Sequence, residues 1–137
     1  MSVVIDASVG LKWVLDEPGS DAAAALREES LIAPDLWLVE AANALWRHAR
    51  SGEISVAEAA ARLARLCTAP VTTAPAETDV LAASDLAATL GHPVYDCLYL
   101  AMAIREDTYV VTADRRFHSI IADAPEYRGR VRLLGAS

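Results

Sequence analysis

The chain has little of what marks a secreted, membrane-bound or nucleic-acid-coating protein. It contains only two cysteines, Cys67 and Cys97, with no Cys-x-x-Cys spacing. No disulfide framework is expected, and both read as reduced, buried thiols of a cytoplasmic protein. No apolar run approaches the roughly 18 residues that a membrane span requires. The first apolar run, Val3 to Ile5, follows no basic stretch and stops at Asp6, so a signal peptide is not expected. Positive charge is scarce: 12 Lys and Arg stand against 19 Asp and Glu, a net charge of −7, and Lys12 is the only lysine. A broad basic face that coats nucleic acid through counterion release is therefore excluded, and any contact with nucleic acid has to be local. There is also no internal repeat, low-complexity tract or linker, so the 137 residues read as one domain.

The chain is organised around Val3 to Ser8. Three β-branched residues run into Asp6, then Ala7 and a Ser8 able to cap a helix, which reads as a buried strand and a tight strand-to-helix turn. In open parallel sheets ligands sit beyond the carboxyl ends of the strands. An acid placed there points into such a site.

Beyond this strand, helices are expected over Ser8–Asp16 and Asp21–Glu29, a short strand over Leu31–Ala33, and a helix over Asp35–Ser51. Ser55 and Glu58 form a capping box for a helix reaching Cys67. A strand over Pro70–Thr73 precedes a helix over Glu77–Leu90, stopped by a left-handed cap at Gly91 and by Pro93. Next come a helix over Val94–Glu106, a strand over Tyr109–Thr112, a helix over Arg115–Ile121 and an edge strand over Val131–Leu134. Short apolar strands alternating with helices predict an α/β fold whose parallel sheet is covered on both faces.

Four acids stand out by position. Asp6 closes the first strand, and Asp114 closes Val110-Val111-Thr112-Ala113 in the same way. On the helix from Asp35, Leu36, Val39, Ala42 and Trp46 read as the apolar stripe, with Glu40, Asn43 and Arg47 as a polar stripe beside it. Asp96 shares a helix face with Tyr99, Leu100 and Ala103. Each acid also has an ordinary reading: Asp6 and Asp114 as helix caps, Asp96 as a complement to a helix dipole, Glu40 as an ion-pair partner of Arg47. Clustered, the four would repel one another unless a divalent cation held them. A hard ion, Mg²⁺ or Mn²⁺, suits such a set of oxygens.

Val-Val-Ile-Asp6-Ala-Ser8, Pro34-Asp-Leu-x-x-x-Glu40-x-x-Asn43-x-Leu-x-Arg47, Tyr95-Asp96-x-x-Tyr99-Leu-Ala and Val111-Thr112-Ala-Asp114-x-x-Phe117 follow one another in order. Together they resemble the PIN-domain ribonucleases, and within them the VapC toxins of bacterial type II toxin–antitoxin systems. The resemblance implies a three-layer α/β/α fold with a central parallel sheet of four to five short strands. It also implies an acidic Mg²⁺ or Mn²⁺ pocket, cleavage of RNA, a homodimer, and inhibition by a cognate VapB-type antitoxin. Asp6, Glu40, Asp96 and Asp114 match the acidic catalytic set, and Ser8, Asn43 and Thr112 match accessory polar positions. Nothing is carried over beyond Phe117.

Phosphodiester hydrolysis needs a nucleophilic water and a stabilised leaving oxygen, both of which bound metal can supply. Asp6, Asp96 and Asp114 are expected to carry metal directly or through water, while Glu40 either completes the shell or orients the attacking water. Lys12, Arg47, Arg115 and Arg116 are candidate phosphate contacts. Trp13, Trp37 and Trp46 read as core or dimer-interface residues, and His48, His92 and His118, lacking metal-ligand spacing, as structural or surface residues. Two rival readings exist. A phosphoacceptor domain of receiver or haloacid-dehalogenase type would need a late lysine that this chain does not have. A catalytically silent binding module would keep the fold, but gaps among the acids would be expected.

Overall fold

A computed structural model describes residues 1–136. Five strands, β1 (Val3–Ile5), β2 (Leu31–Pro34), β3 (Val71–Ala74), β4 (Val110–Thr112) and β5 (Val131–Leu133), form one sheet in the order β3-β2-β1-β4-β5. Every pairing is parallel. Among the described residues seven helices surround it: α1 (Ala7–Gly10), α2 (Ser20–Leu26), α3 (Leu36–Arg50), α4 (Val56–Cys67), α5 (Val80–Leu90), α6 (Val94–Arg105) and α7 (Arg115–Ala122).

The middle strand β1 is paired on both edges, with Val4 opposite Ile32 on one side and Val110 on the other. Its alternating side chains enter two cores. Val4 packs with Trp37, Leu45, Tyr99 and Phe117, while Val3 and Ile5 pack with Val9, Ala23, Leu31 and Val111. Burial on both faces explains the unbroken apolar run and gives the three-layer α/β/α arrangement that the sequence predicts. The chain steps outward from β1 to β3 and then returns to lay β4 on the other side of β1. Strand order therefore reverses between β1 and β4, where parallel sheets open a crevice at their carboxyl ends.

Local signals account for several boundaries. Ser55 Oγ accepts from the Glu58 backbone N–H at 3.0 Å, and Glu58 Oε1 accepts from the Ser55 N–H at 3.1 Å, closing the capping box of α4. Gly91 takes the left-handed conformation at φ 65° that ends α5. Gly10 permits a close approach, because a Cβ there would sit 2.5 Å from Cζ3 of Trp37.

Several elements depart from expectation. The first helix ends at Gly10 and tightens into a 3-10 turn over Leu11–Trp13, where Trp13 Nε1 donates to the Ala23 carbonyl at 2.8 Å and the ring sits edge-on to Trp37. Tertiary anchoring of one indole overrides continuation of the helix. The helix expected from Glu77 starts at Val80, behind a separate 3-10 turn. Asp79 stands at the break, buried and bound by Arg105 at 2.7 and 3.0 Å. On α3 the buried stripe is Trp37, Ala41, Ala44 and Leu45, whereas Val39 and Trp46 are 64% and 53% exposed. The alanines allow the close packing of α3, and Arg50 covers the outward Trp46 ring from 5.3 Å. Cys97 is buried as expected, but Cys67, the last residue of α4, is exposed. Among the described residues no helix is long and apolar enough to cross a membrane.

Candidate functional site

A cleft of about 240 Å³ opens at the carboxyl ends of β1 and β4, lined by Asp6, Ser8, Glu40, Arg47, Asp96 and Asp114 with Ala7, Leu11 and Ala44. The four acids arrive from four places in the fold: the residue after β1, the second turn of α3, the first turn of α6 and the cap of α7. The sequence predicted each acid separately, and the fold brings them onto one surface.

Asp6 is the most enclosed, at 6% exposure. Ser8 Oγ donates to its Oδ1 at 2.5 Å, and Thr112 Oγ1 donates to its Oδ2. Both hydroxyls also accept backbone protons, Ser8 from the Ala113 N–H at 2.9 Å and Thr112 from the Asp114 N–H at 3.0 Å. The turn after β4 is thus tied to the carboxylate after β1. Burial pushes the Asp6 carboxyl up to about 6, with the two hydroxyl donors pulling the other way and the charge of Asp96 adding to the rise. Asp6 occupies the cap position of α1, yet its side chain does not cap the helix. Its carboxylate is committed to the cleft.

Glu40 is half-buried and accepts a hydrogen bond at Oε1 from the Tyr99 hydroxyl. Burial raises its pKa, the Tyr99 bond lowers it, and Asp96 raises it again. Among the described residues Glu40 forms no ion pair with Arg47, although both line the cleft. Asp96 Oδ2 lies 2.6 Å from His92 Nε2. The His92 ring is buried and stacked on Phe117, with centroids 5.5 Å apart. Asp114 does cap its helix, Oδ1 accepting from the N–H groups of Arg116 at 2.9 Å and Phe117 at 3.2 Å. It lines the cleft as well, so capping and a place in the site are compatible.

The remaining candidates divide. Ser8 and Thr112 support Asp6, but Asn43 is exposed and does not line the cleft. It lies toward the outer flank of α3, where Val39 and Trp46 also point. Arg47 lines the cleft, Lys12 and Arg115 line a neighbouring cavity, and Arg116 is exposed and lines neither. Tyr99 and His92 are the contacts that sequence reasoning missed. A tyrosine on an apolar helix face needs a partner for its hydroxyl, and the half-buried Glu40 needs a donor, which was the available signal for that pair. His92 stands four residues before Asp96 in the Gly91-His92-Pro93 break, where only the spacing hinted at contact.

All the donors that face the cleft from these acids are carboxylate oxygens, the chemistry of a hard divalent cation. Among the described residues no three His, Cys, Asp or Glu side chains close on a common point. Mg²⁺ keeps several waters and binds through one or two carboxylates, and a cleft of about 240 Å³ leaves room for them. The residues present fit such an ion.

A search of curated proteins finds no match. The fold is similar to that of PAE2754 from Pyrobaculum aerophilum, known from a crystal structure, with a TM-score of 0.70 and 24% identity over 98% of this chain and 90% of that one. A family model described as PIN domain matches residues 3–122, a span that includes β1, β4 and all four cleft acids. The chain belongs to the PIN domain family.

Proposed function

We propose that this protein is a Mg²⁺- or Mn²⁺-dependent endoribonuclease and the toxin of a toxin–antitoxin pair, acting in the cytoplasm. The observation that carries the reading is the convergence of Asp6, Glu40, Asp96 and Asp114 on one cleft at the strand-order reversal. PIN domains are generally nucleases and typically use divalent metals. The bound ion would acidify a water and neutralise charge on the scissile phosphate. Asp6, Asp96 and Asp114 would hold it, directly or through water.

The chain's own groups do the positioning. Ser8 and Thr112 fix both oxygens of Asp6, so that carboxylate meets its ligand in one orientation. Tyr99 fixes Glu40, and burial raises its pKa, which makes this carboxylate a stronger base than a free one. Glu40 is thereby suited to orient the attacking water and take its proton. Arg47 offers the cleft a cation for the substrate phosphate. A net charge of −7 on the chain agrees with a local contact to RNA. The toxin role, the homodimer and inhibition by a VapB-type antitoxin rest on the motif resemblance. Exposed Val39 and Trp46 on α3 would give a second copy an apolar surface.

The test is cleavage of RNA by purified protein with Mg²⁺ or with chelator, alongside Asp96→Asn. Metal-dependent products bearing a 5′-phosphate and a 3′-hydroxyl are expected, reduced roughly 100-fold or more in the variant. Products ending in a 2′,3′-cyclic phosphate would rule out water as nucleophile. Absence of cleavage across varied RNAs would overturn the enzyme reading. Growth arrest on expression, relieved by a small antitoxin encoded alongside, is the expected cellular result.

A further inference from the structure

Beside the acidic cleft lies a second cavity of about 290 Å³, whose wall includes Lys12, Ala113, Arg115 and Leu134. The two spaces share a thin partition. Leu11 lines the cleft while Lys12 lines the cavity, and Asp114 lines the cleft while its neighbours Ala113 and Arg115 line the cavity. Ser8, on the cleft side, is joined through Oγ to the N–H of Ala113 on the other, at 2.9 Å. Asp114 and Arg115, consecutive in the chain, thus put a carboxylate on one side and a cation on the other. Among the described residues no carboxylate lines the cavity, although Glu17 pairs with the Lys12 ammonium at its wall.

Lys12, the chain's only lysine, is held in place there. Its side chain is 12% exposed, and Nζ donates to Glu17 Oε1 at 3.1 Å and to the Pro18 carbonyl at 2.8 Å. An ammonium has three donors, so one is left for a ligand. Arg115 is exposed at its rim, and its side chain makes no hydrogen bond among the described residues. A protein of net charge −7 has here a fixed cation, already paired with Glu17, and a free one that directly follows Asp114.

We propose that this cavity is a phosphate subsite for the RNA strand: it receives the phosphodiester next to the one lying over the acids, the strand crossing the partition at Ser8 and Ala113. The proposal rests on the nuclease reading above and adds the direction in which the substrate leaves the cleft. Lys12 supplies a point charge and Arg115 a planar fork, the two complementary ways of holding a phosphate.

The test is the Mg²⁺-dependent kinetics of wild type, Arg115→Gln, Lys12→Gln and the distant surface control Arg62→Gln on single-stranded RNA. Arg115→Gln and Lys12→Gln are expected to raise KM about tenfold with kcat nearly unchanged, the loss of one charged hydrogen bond. Each should also lower the slope of log affinity against log salt by about 0.7, the loss of one phosphate contact on a single strand. Arg62→Gln should change neither. Lys12→Gln also breaks the pair with Glu17, so Arg115→Gln, which removes no hydrogen bond, is the decisive variant. If the wild type cleaves and Arg115→Gln keeps both its KM and its salt slope, the subsite is overturned and the nuclease reading stands. An acidic peptide as the natural occupant would give that same result. A wild type that cleaves no RNA overturns the nuclease reading, and the subsite with it.

Discussion

An ionised carboxyl at 6% exposure, with a second acid near enough to raise its pKa, works against the fold even with two hydroxyls donating to it. Asp6 is in that position. Its folded pKa of about 6 lies above the ordinary 3.8, so its contribution is fully favourable below the unfolded pKa and is lost as pH rises through about 6. The elevation corresponds to a penalty on the ionised form on the order of 3 kcal/mol. Asp6→Asn should therefore raise the melting temperature of the metal-free protein at pH 7.5 by several degrees while abolishing cleavage. A lower melting temperature in that variant would mean that the hydroxyl contacts outweigh the burial penalty. Tyr99 acts on Glu40 in the opposite sense, since its donor lowers a pKa that burial raises. Tyr99→Phe should lower kcat by roughly 10-fold to 100-fold, as loss of a supporting hydrogen bond does. It should also move the acidic limb of the pH–rate profile to higher pH, because Glu40 would then hold its proton longer. A drop in rate with an unshifted limb would reduce Tyr99 to a packing role.

At the scale of elements, what the sequence revealed divides by the distance over which each feature is determined. The capping box of α4, the Gly91 end of α5 and the apolar run of β1 are set by residues within a few positions, and each was readable. The buried face of α3 was not. Two stripes were available, each with a tryptophan, and the outcome turned on Gly10 of α1 approaching Trp37, a contact between elements. Asp6, Asp96 and Asp114 were legible because each stands at a strand end or helix start, and Glu40 because it belongs to the polar stripe of α3. Their supports were less so, since the Tyr99–Glu40 bond joins α6 to α3 and His92 reaches Asp96 from a chain reversal. Lys12, Arg47 and Arg115 were expected as phosphate contacts, but which side of the partition each lines was set by how their elements pack. The α5–α6 pair gives a test at this scale. Arg105 near the end of α6 holds the buried Asp79 before α5 through two bonds. Arg105→Ala strands that carboxylate and, allowing for the partly exposed arginine, should cost about 2–3 kcal/mol in chemical denaturation. Cleavage by the folded fraction should be unchanged, because the pair lies outside the cleft.

For the whole molecule the governing quantity is a net charge of −7, with four of its carboxylates facing one small volume. Monovalent salt screens such repulsion at the surface but reaches a buried group far less, so Asp6 and Glu40 need a partner inside the cleft. Mg²⁺ that binds the folded state alone stabilises it by about 2.7 kcal/mol at 100 times its dissociation constant, a melting shift on the order of 10 °C for a domain of this size. The shift should depend on pH in a direction set by the acids. At pH 5 Asp6 is largely protonated, and the ion must displace that proton to bind. At pH 7.5 the carboxylate is already ionised and destabilising, and the ion relieves it. Thermal melts with Mg²⁺ or with chelator should therefore separate widely at pH 7.5 and little at pH 5, with proton release on binding close to one per ion at pH 5 and falling as pH rises through about 6. The same melts with Na⁺ at matched ionic strength should not separate. An equal Mg²⁺ shift at both pH values would place the ion away from Asp6, and an equal effect of Na⁺ would reduce it to screening of the surface.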